Sequence, residues 1–202
     1  MKFIVHRKNT LAELRSVDPK FGIEVDIRTW GGDMIIHHDP FVKGNDFVEW
    51  INSYHHGTLI LNVKEEGLEA RLIELMSEKG IDDYFFLDQS FPFLVKCSEA
   101  GERRCAVRVS EFETVDTAMA LAGKVDWVWV DCFTHFPLNY EDAMRLQGAE
   151  FKLCVVSPEL QGRDADIEIP ALFKLLSERQ ITPEAVCTKR TDLWEKLLCD
   201  HG

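Results

Sequence analysis

His6-Arg7, Glu24-Val25-Asp26 and His38-Asp39 all fall within the first forty residues, each beside a short apolar run, and together they look like a site for metal-assisted cleavage of a phosphodiester. Glu24 and Asp26 are two apart in Phe21 to Arg28, which reads as a buried strand, so their side chains share one face. Two carboxylates held side by side repel unless a cation neutralises them, and hard oxygen donors suit Mg²⁺ or Ca²⁺ better than a softer metal. His6 closes the run Phe3-Ile4-Val5, and His38 follows Met34-Ile35-Ile36, so each imidazole is delivered to a rim. Two groups that titrate near neutrality can divide the work of general base and general acid.

The elements that position these residues alternate along the whole chain. Strand-like runs cover Lys2 to His6, Phe21 to Arg28, Thr58 to Val63, Tyr84 to Asp88, Arg104 to Val109, Val125 to Asp131, Phe151 to Val156 and Ala185 to Lys189. Helical patterns lie between them at Asn9 to Val17, Asp46 to Tyr54, Glu65 to Lys79, Phe91 to Ala100, Thr114 to Ala122, Asn139 to Leu146, Asp166 to Glu178 and Asp192 to Cys199. Gly80 is placed to stop the third helix. Repeated β-α units of this kind imply an α/β fold with a parallel sheet, and eight of them predict a small (β/α)8 TIM barrel. An open doubly wound sheet is the alternative arrangement. Trp30-Gly31-Gly32-Asp33 interrupts the rhythm as a turn, followed by a short extra strand from Met34 to His38. His6, Asp26, Asn62, Lys64, Asp88, Arg108, Asp131 and Lys189 fall at or just past strand ends, where barrels of this type gather their chemistry.

Length and composition fit one domain over residues 1–202, with 46% hydrophobic residues to fill its core. A net charge of −12 and the lack of any basic run longer than two residues argue against nucleic acid as a partner. No apolar run reaches membrane-spanning length, and the N-terminus enters a strand at once without the pattern of a secretory signal, so a cytoplasmic location is expected. Six cysteines without CxxC spacing read as reduced, mostly packed thiols rather than a zinc site.

With His-Arg after the first strand, Glu-x-Asp in the second and His-Asp closing the hairpin, the chain resembles the glycerophosphodiester phosphodiesterase family, whose barrel is shared with phosphatidylinositol-specific phospholipase C. Asn9-Thr10 is similar to the pair that opens the family's first helix. Asn62-Val63-Lys64 stands at the family's Glu-x-Lys, Ser90-Phe91 at its Ser-Phe, and Thr191-Asp192 at its closing Thr-Asp. The resemblance implies His6 and His38 as the acid/base pair, Glu24, Asp26 and Asn62 as ligands of Mg²⁺ or Ca²⁺, and Arg7 and Lys64 as phosphate contacts. It also implies a soluble glycerophosphodiester as substrate, attacked by its own glycerol hydroxyl through a cyclic phosphate.

Three departures modify this expectation. Asn62 replaces a glutamate and so brings an oxygen without its charge. Lys8 replaces a glycine, and the loop that follows in the family is missing. Ser157-Pro158-Glu159 replaces an aromatic residue followed by Thr. These departures keep two other readings open, a lyase that stops at the cyclic phosphate and a barrel that binds a phosphate ligand without turnover.

Several other residues read as structural. His37 and His38 point oppositely if the strand continues through both, and the family pattern selects His38. His55-His56 precede the third strand and are expected at the opposite pole, in solvent. Trp127 and Trp129 share a face of the sixth strand and belong to packing. Asp88, Arg108 and Asp131 fit either pocket lining or rim ion pairs, and His135 lies in a loop that could reach substrate.

Overall fold

A computed structural model of the chain describes residues 1–201. The chain divides into two units, one spanning His6–Ala106 and the other Met1–Val5 together with the chain from Val107 onward. Each is built from parallel β-α repeats, the mixed α/β class that the alternation of apolar runs predicts.

The first strand, β1 (Lys2–Val5), belongs to the second unit. The His6–Ala106 unit then contains α1 (Leu11–Arg15), β2 (Gly22–Trp30), β3 (Asp33–Ile36), β4 (Asn45–Asp46), α2 (Phe47–Ile51), β5 (Leu59–Val63), α3 (Glu69–Lys79), β6 (Tyr84–Leu87) and α4 (Phe91–Glu99). β2 pairs in parallel with β5, and β5 with β6, in a register that sets Asp26 beside Asn62 and Asn62 beside Leu87. Ile23, Val25 and Ile27 alternate with Glu24 and Asp26 along β2, yet all five are buried, because the strand is covered on both faces.

The extra strand is present, although it stops at Ile36 rather than His38. β2 turns through Gly31 and Gly32, both at positive φ (61° and 95°), and returns as antiparallel β3 with Ile27 opposite Ile36. Two left-handed residues in a row are what a tight hairpin of this twist requires. β4 was not legible in the sequence. It forms because Gly44 lets the chain pass so close to β3 that a Cβ there would lie 2.1 Å from the Ile36 carbonyl oxygen. The Asn45 side chain then donates to the Asn9 carbonyl at 3.0 Å, fastening the hairpin to the loop before α1.

Helix ends differ from the sequence reading where local side chains intervene. α1 starts behind Thr10, which forms a capping box with Glu13, and ends at Ser16, so it is shorter than Asn9 to Val17. α3 starts at Glu69 rather than Glu65, because Gly67 turns at φ 91° and donates to the Glu69 carboxylate. Gly80 ends α3 in the left-handed conformation, as expected.

The second unit holds β1, β7 (Ala106–Val109) from Val107 onward, α5 (Val115–Met119), β8 (Trp127–Val130), α6 (Tyr140–Gly148), β9 (Lys152–Val156), a 3-10 turn at Pro158–Gln161, α7 (Ala165–Glu178), β10 (Ala185–Thr188) and α8 (Thr191–His201). β1 pairs with β10, β10 with β9, and β9 with β8, all parallel. Trp127 and Trp129 are buried, as their shared face predicts. The six cysteines are free thiols, four of them buried. Among the described residues no helix is long and apolar enough to cross a membrane.

Candidate active site

Six of the sequence-predicted residues, His6, Arg7, Glu24, Asp26, Asn62 and Lys64, meet in one cluster of contacts. Backbone pairing sets it up: the Lys8 amide donates to the Glu24 carbonyl at 3.1 Å, laying His6-Arg7-Lys8 along β2. Arg7 adopts φ 54°, an uncommon conformation for a residue with a side chain, and its amide turns onto Glu24 Oε2 at 2.7 Å. Its guanidinium Nε lies 3.2 Å from Asp26 Oδ2, and His6 Nε2 stands 3.8 Å from Glu24 Oε2. Lys64, just past β5, places Nζ 2.7 Å from Asp88 Oδ2 and 3.5 Å from Asp26 Oδ1. Asn62 donates from Nδ2 to Glu24 Oε1 at 2.7 Å.

Both acids of β2 have no solvent exposure. Burial, reinforced by the charge of Asp26, pushes the Glu24 carboxyl up to about 7, against the hydrogen bonds from Asn62 and Arg7 and the charge of Lys64. Asp26 has more cationic company: Arg7 and Lys64 flank it, and Asn9 makes a reciprocal pair with it, donating from Nδ2 to Oδ2 at 2.9 Å and accepting the Asp26 amide at 3.2 Å.

His38 belongs to a neighbouring group rather than to this cluster. Its ring is 44% exposed, with Nδ1 2.8 Å from Asp39 Oδ1. The hydrogen bond with His38 holds the Asp39 carboxyl below its ordinary range, helped by the more distant charge of Arg7. Arg28 links the two groups, donating from Nε and Nη2 to the His38 carbonyl and from Nη1 to the Lys64 carbonyl at 3.0–3.2 Å. β3 has ended before His38, so strict alternation does not govern the two histidines. The His37 amide continues the pairing onto the Asp26 carbonyl at 3.1 Å, and the His37 ring folds onto the backbone of Asp39.

Two buried oxygens at the centre, Asp26 Oδ1 and Asn62 Oδ1, accept no hydrogen bond. With Glu24 they make a hard-oxygen set of the kind that holds Mg²⁺ or Ca²⁺, so the residues present fit such an ion. Among the described residues no three His, Cys, Asp or Glu side chains gather as a metal-binding group. A cavity of about 280 Å³ adjoins the cluster, lined by Lys64, Asp88, Glu65, Glu66, Gln89 and Ser90 among others.

Sequence reasoning did not single out Asn9 as the residue that orients Asp26, or Arg28 as the link between His38 and Lys64. Asn9 carried a usable signal, an amide three residues past the first histidine. Arg28 carried none beyond a charge at the end of a buried strand. Asp88 proves to be an ion-pair partner of Lys64, and Arg108 pairs with Asp131 at 3.2 Å in the other unit. His135 is exposed and pairs with Glu111. The prediction of a solvated His55-His56 pair holds for His55 alone. His56 is half-buried, its Nε2 3.2 Å from the Val17 carbonyl and its ring against Tyr54, and burial lowers its affinity for a proton.

Repeated parallel β-α units with a cluster of buried acids, cations and imidazole at their strand ends define the chain as a mixed α/β protein. No protein-family model and no curated protein matches the sequence. Solved structures do match, over nearly the whole chain. A glycerophosphodiester phosphodiesterase from Agrobacterium tumefaciens str. C58 superposes with a TM-score of 0.65 at 15% identity, covering 95% of this chain and 97% of that one. A putative glycerophosphoryl diester phosphodiesterase from the same organism gives 0.65 at 13% identity, with 99% and 98% covered. A glycerophosphoryl diester phosphodiesterase from Parabacteroides distasonis ATCC 8503 gives 0.62 at 10% identity, with 93% and 82% covered. The chain shares its fold with these proteins.

Proposed function

We propose that the chain is a divergent phosphodiesterase of the glycerophosphodiester type, folded as a single (β/α)8 domain over residues 1–202 and working in the cytoplasm. The observation that supports it most is the convergence of His6, Arg7, Glu24, Asp26, Asn62 and Lys64 into one network of contacts, on a fold shared with solved glycerophosphodiester phosphodiesterases. In this reading Glu24, Asp26 and Asn62 would hold Mg²⁺ or Ca²⁺, which when bound supplies positive charge to the phosphate oxygens.

The chain's own residues do the rest. Arg7 and Lys64 bind the remaining phosphate oxygens, and their preset positions lower the cost of gathering charge in the transition state. His6, held toward Glu24, takes or gives a proton at Nε2, and His38, oriented through Nδ1 by Asp39, serves the opposite role. A substrate hydroxyl fixed beside phosphorus gains the advantage of an intramolecular attack. The substrate is a small soluble phosphodiester, and nucleic acid is not a partner.

The test is product release from a panel of glycerophosphodiesters with Mg²⁺ or Ca²⁺, followed by phosphorus NMR. A phosphomonoester that forms with wild type and falls away with His6→Ala and His38→Ala is the expected result. Accumulation of a cyclic ester that water never opens would assign a lyase instead. A second reading, ligand binding without turnover, is favoured by Asn62 and by the pairing of Asp26 with two protein cations. Equal inertness of wild type and both variants, with calorimetric heat from glycerol phosphate, would select it.

A further inference from the structure

We infer that Lys64 is the resident counter-cation of Asp26, and that a divalent ion binds at Asp26 only in exchange for it, with Asp88 tethering the displaced lysine. The inference rests on the reading of Glu24, Asp26 and Asn62 as ion ligands and adds to it a rule for affinity. Asp26 has two unlike oxygens. Oδ2 is held by Asn9 and Arg7, whereas Oδ1 accepts no hydrogen bond and has the Lys64 ammonium 3.5 Å away. Oδ1 is thus the oxygen open to an ion, and Lys64 is the charge that guards it. Ligand oxygens sit about 2.0–2.6 Å from Mg²⁺ or Ca²⁺, so an ion and an ammonium on one carboxylate oxygen would be near neighbours, strongly repelling in a buried site.

Lys64 has somewhere to go. Its shorter contact is with Asp88, at 2.7 Å, and Asp88 is the more exposed carboxylate of the two. Asp88 sits just past β6 at φ 61°, in the left-handed region. Among the described residues Arg7 has Asp26 as its salt-bridge carboxylate, so it stays on Oδ2 while Lys64 exchanges. With Asn62 in place of a third acid, the ion receives less charge from its ligands and competes poorly with the lysine. An anionic phosphate that draws Lys64 off Oδ1 therefore raises ion affinity, and by linkage the ion raises phosphate affinity by the same factor.

Calorimetric titration of CaCl₂ into the full chain, with and without glycerol phosphate, tests this without measuring turnover. Lys64→Met is expected to bind Ca²⁺ about tenfold tighter than wild type, and glycerol phosphate to tighten Ca²⁺ binding several-fold in wild type but not in the variant. Asp88→Asn keeps the lysine but frees it to rest on Asp26, so its Ca²⁺ affinity should fall several-fold. That variant reads the same rule with opposite sign if Lys64→Met fails to fold. Wild type that binds Ca²⁺ with Lys64→Met no tighter and Asp88→Asn no weaker overturns the exchange and leaves the ion site standing. No heat from Ca²⁺ in any of the three removes the ion site and the exchange together.

Discussion

The strand ends of the two units use the same residue types and finish them differently. In the second unit Asp131 is buried, but its oxygens accept from Gln161, from the Cys132 amide and from Arg108. Ser157 accepts from Trp194, and Thr188 donates to Glu159 and accepts from the Arg190 amide. In the His6–Ala106 unit Asp26 Oδ1 and Asn62 Oδ1 are equally buried and accept nothing. A buried polar oxygen without a partner is destabilising, whereas a completed network holds structure. The buried acid at the second unit's strand ends thus has its oxygens satisfied, whereas the Asp26–Asn62 pair of the His6–Ala106 unit has two oxygens left over.

The hardest test of that contrast removes one buried acid from each side. Asp26→Ala and Asp131→Ala each remove a buried acid from a partly exposed cation and from its hydrogen-bond donors, and should each cost roughly 1–3 kcal/mol in chemical denaturation. Only Asp26→Ala should also abolish turnover, by about a thousandfold or more, in product assays run below its lowered melting temperature. Equal loss of activity in both would erase the distinction.

Next in size is a pair of histidines. His6→Ala should lower kcat by about 10²–10⁴-fold, the usual worth of a placed acid or base, whereas His135→Ala, exposed in the other unit, should leave it within twofold. Steady-state kinetics on the two variants decides.

The pH dependence of stability comes third. Glu24 has a folded pKa of about 7 against an ordinary 4.5, so the folded state binds the proton more tightly than the unfolded chain. Its contribution is complete below pH 4.5 and is lost as pH rises through 7, amounting to roughly 3 kcal/mol for such a shift. Denaturation of wild type against Glu24→Gln from pH 4.5 to 8.5 should therefore show the wild type losing ground as pH rises, and a flat difference would place the Glu24 proton elsewhere.

The smallest effect is restored charge. Asn62→Asp should tighten Ca²⁺ by about tenfold in calorimetry, roughly 1.4 kcal/mol, while Gln161→Glu beside Asp131 should create no ion binding.

Much of this arrangement could be read from the chain alone, and the parts that could not share a cause. Alternating apolar runs located every parallel strand, and the two-residue spacing of Glu24 and Asp26 put both acids on one face, because these depend on local periodicity. Asn62 and Lys64 were placed at the rim by their position at or past a strand end, and the roles of Arg7, Lys64 and Asn62 came from the family resemblance. Their partners were not legible. That Lys64 would rest between Asp26 and Asp88, or that Asn62 would turn its amide nitrogen to Glu24, depends on side-chain geometry across three strands. The early end of β3, the appearance of β4 and the late start of α3 trace to close backbone approach at Gly44 and the turn at Gly67.

The most direct measurement is a crystal structure of the protein soaked with Ca²⁺ and glycerol phosphate. An ion about 2.3–2.6 Å from oxygens of Glu24, Asp26 and Asn62, with phosphate against Arg7 and between the rings of His6 and His38, is the outcome predicted. Lys64 still on Asp26 with no ion beside it, or phosphate bound only among the strand ends of the other unit, would contradict it.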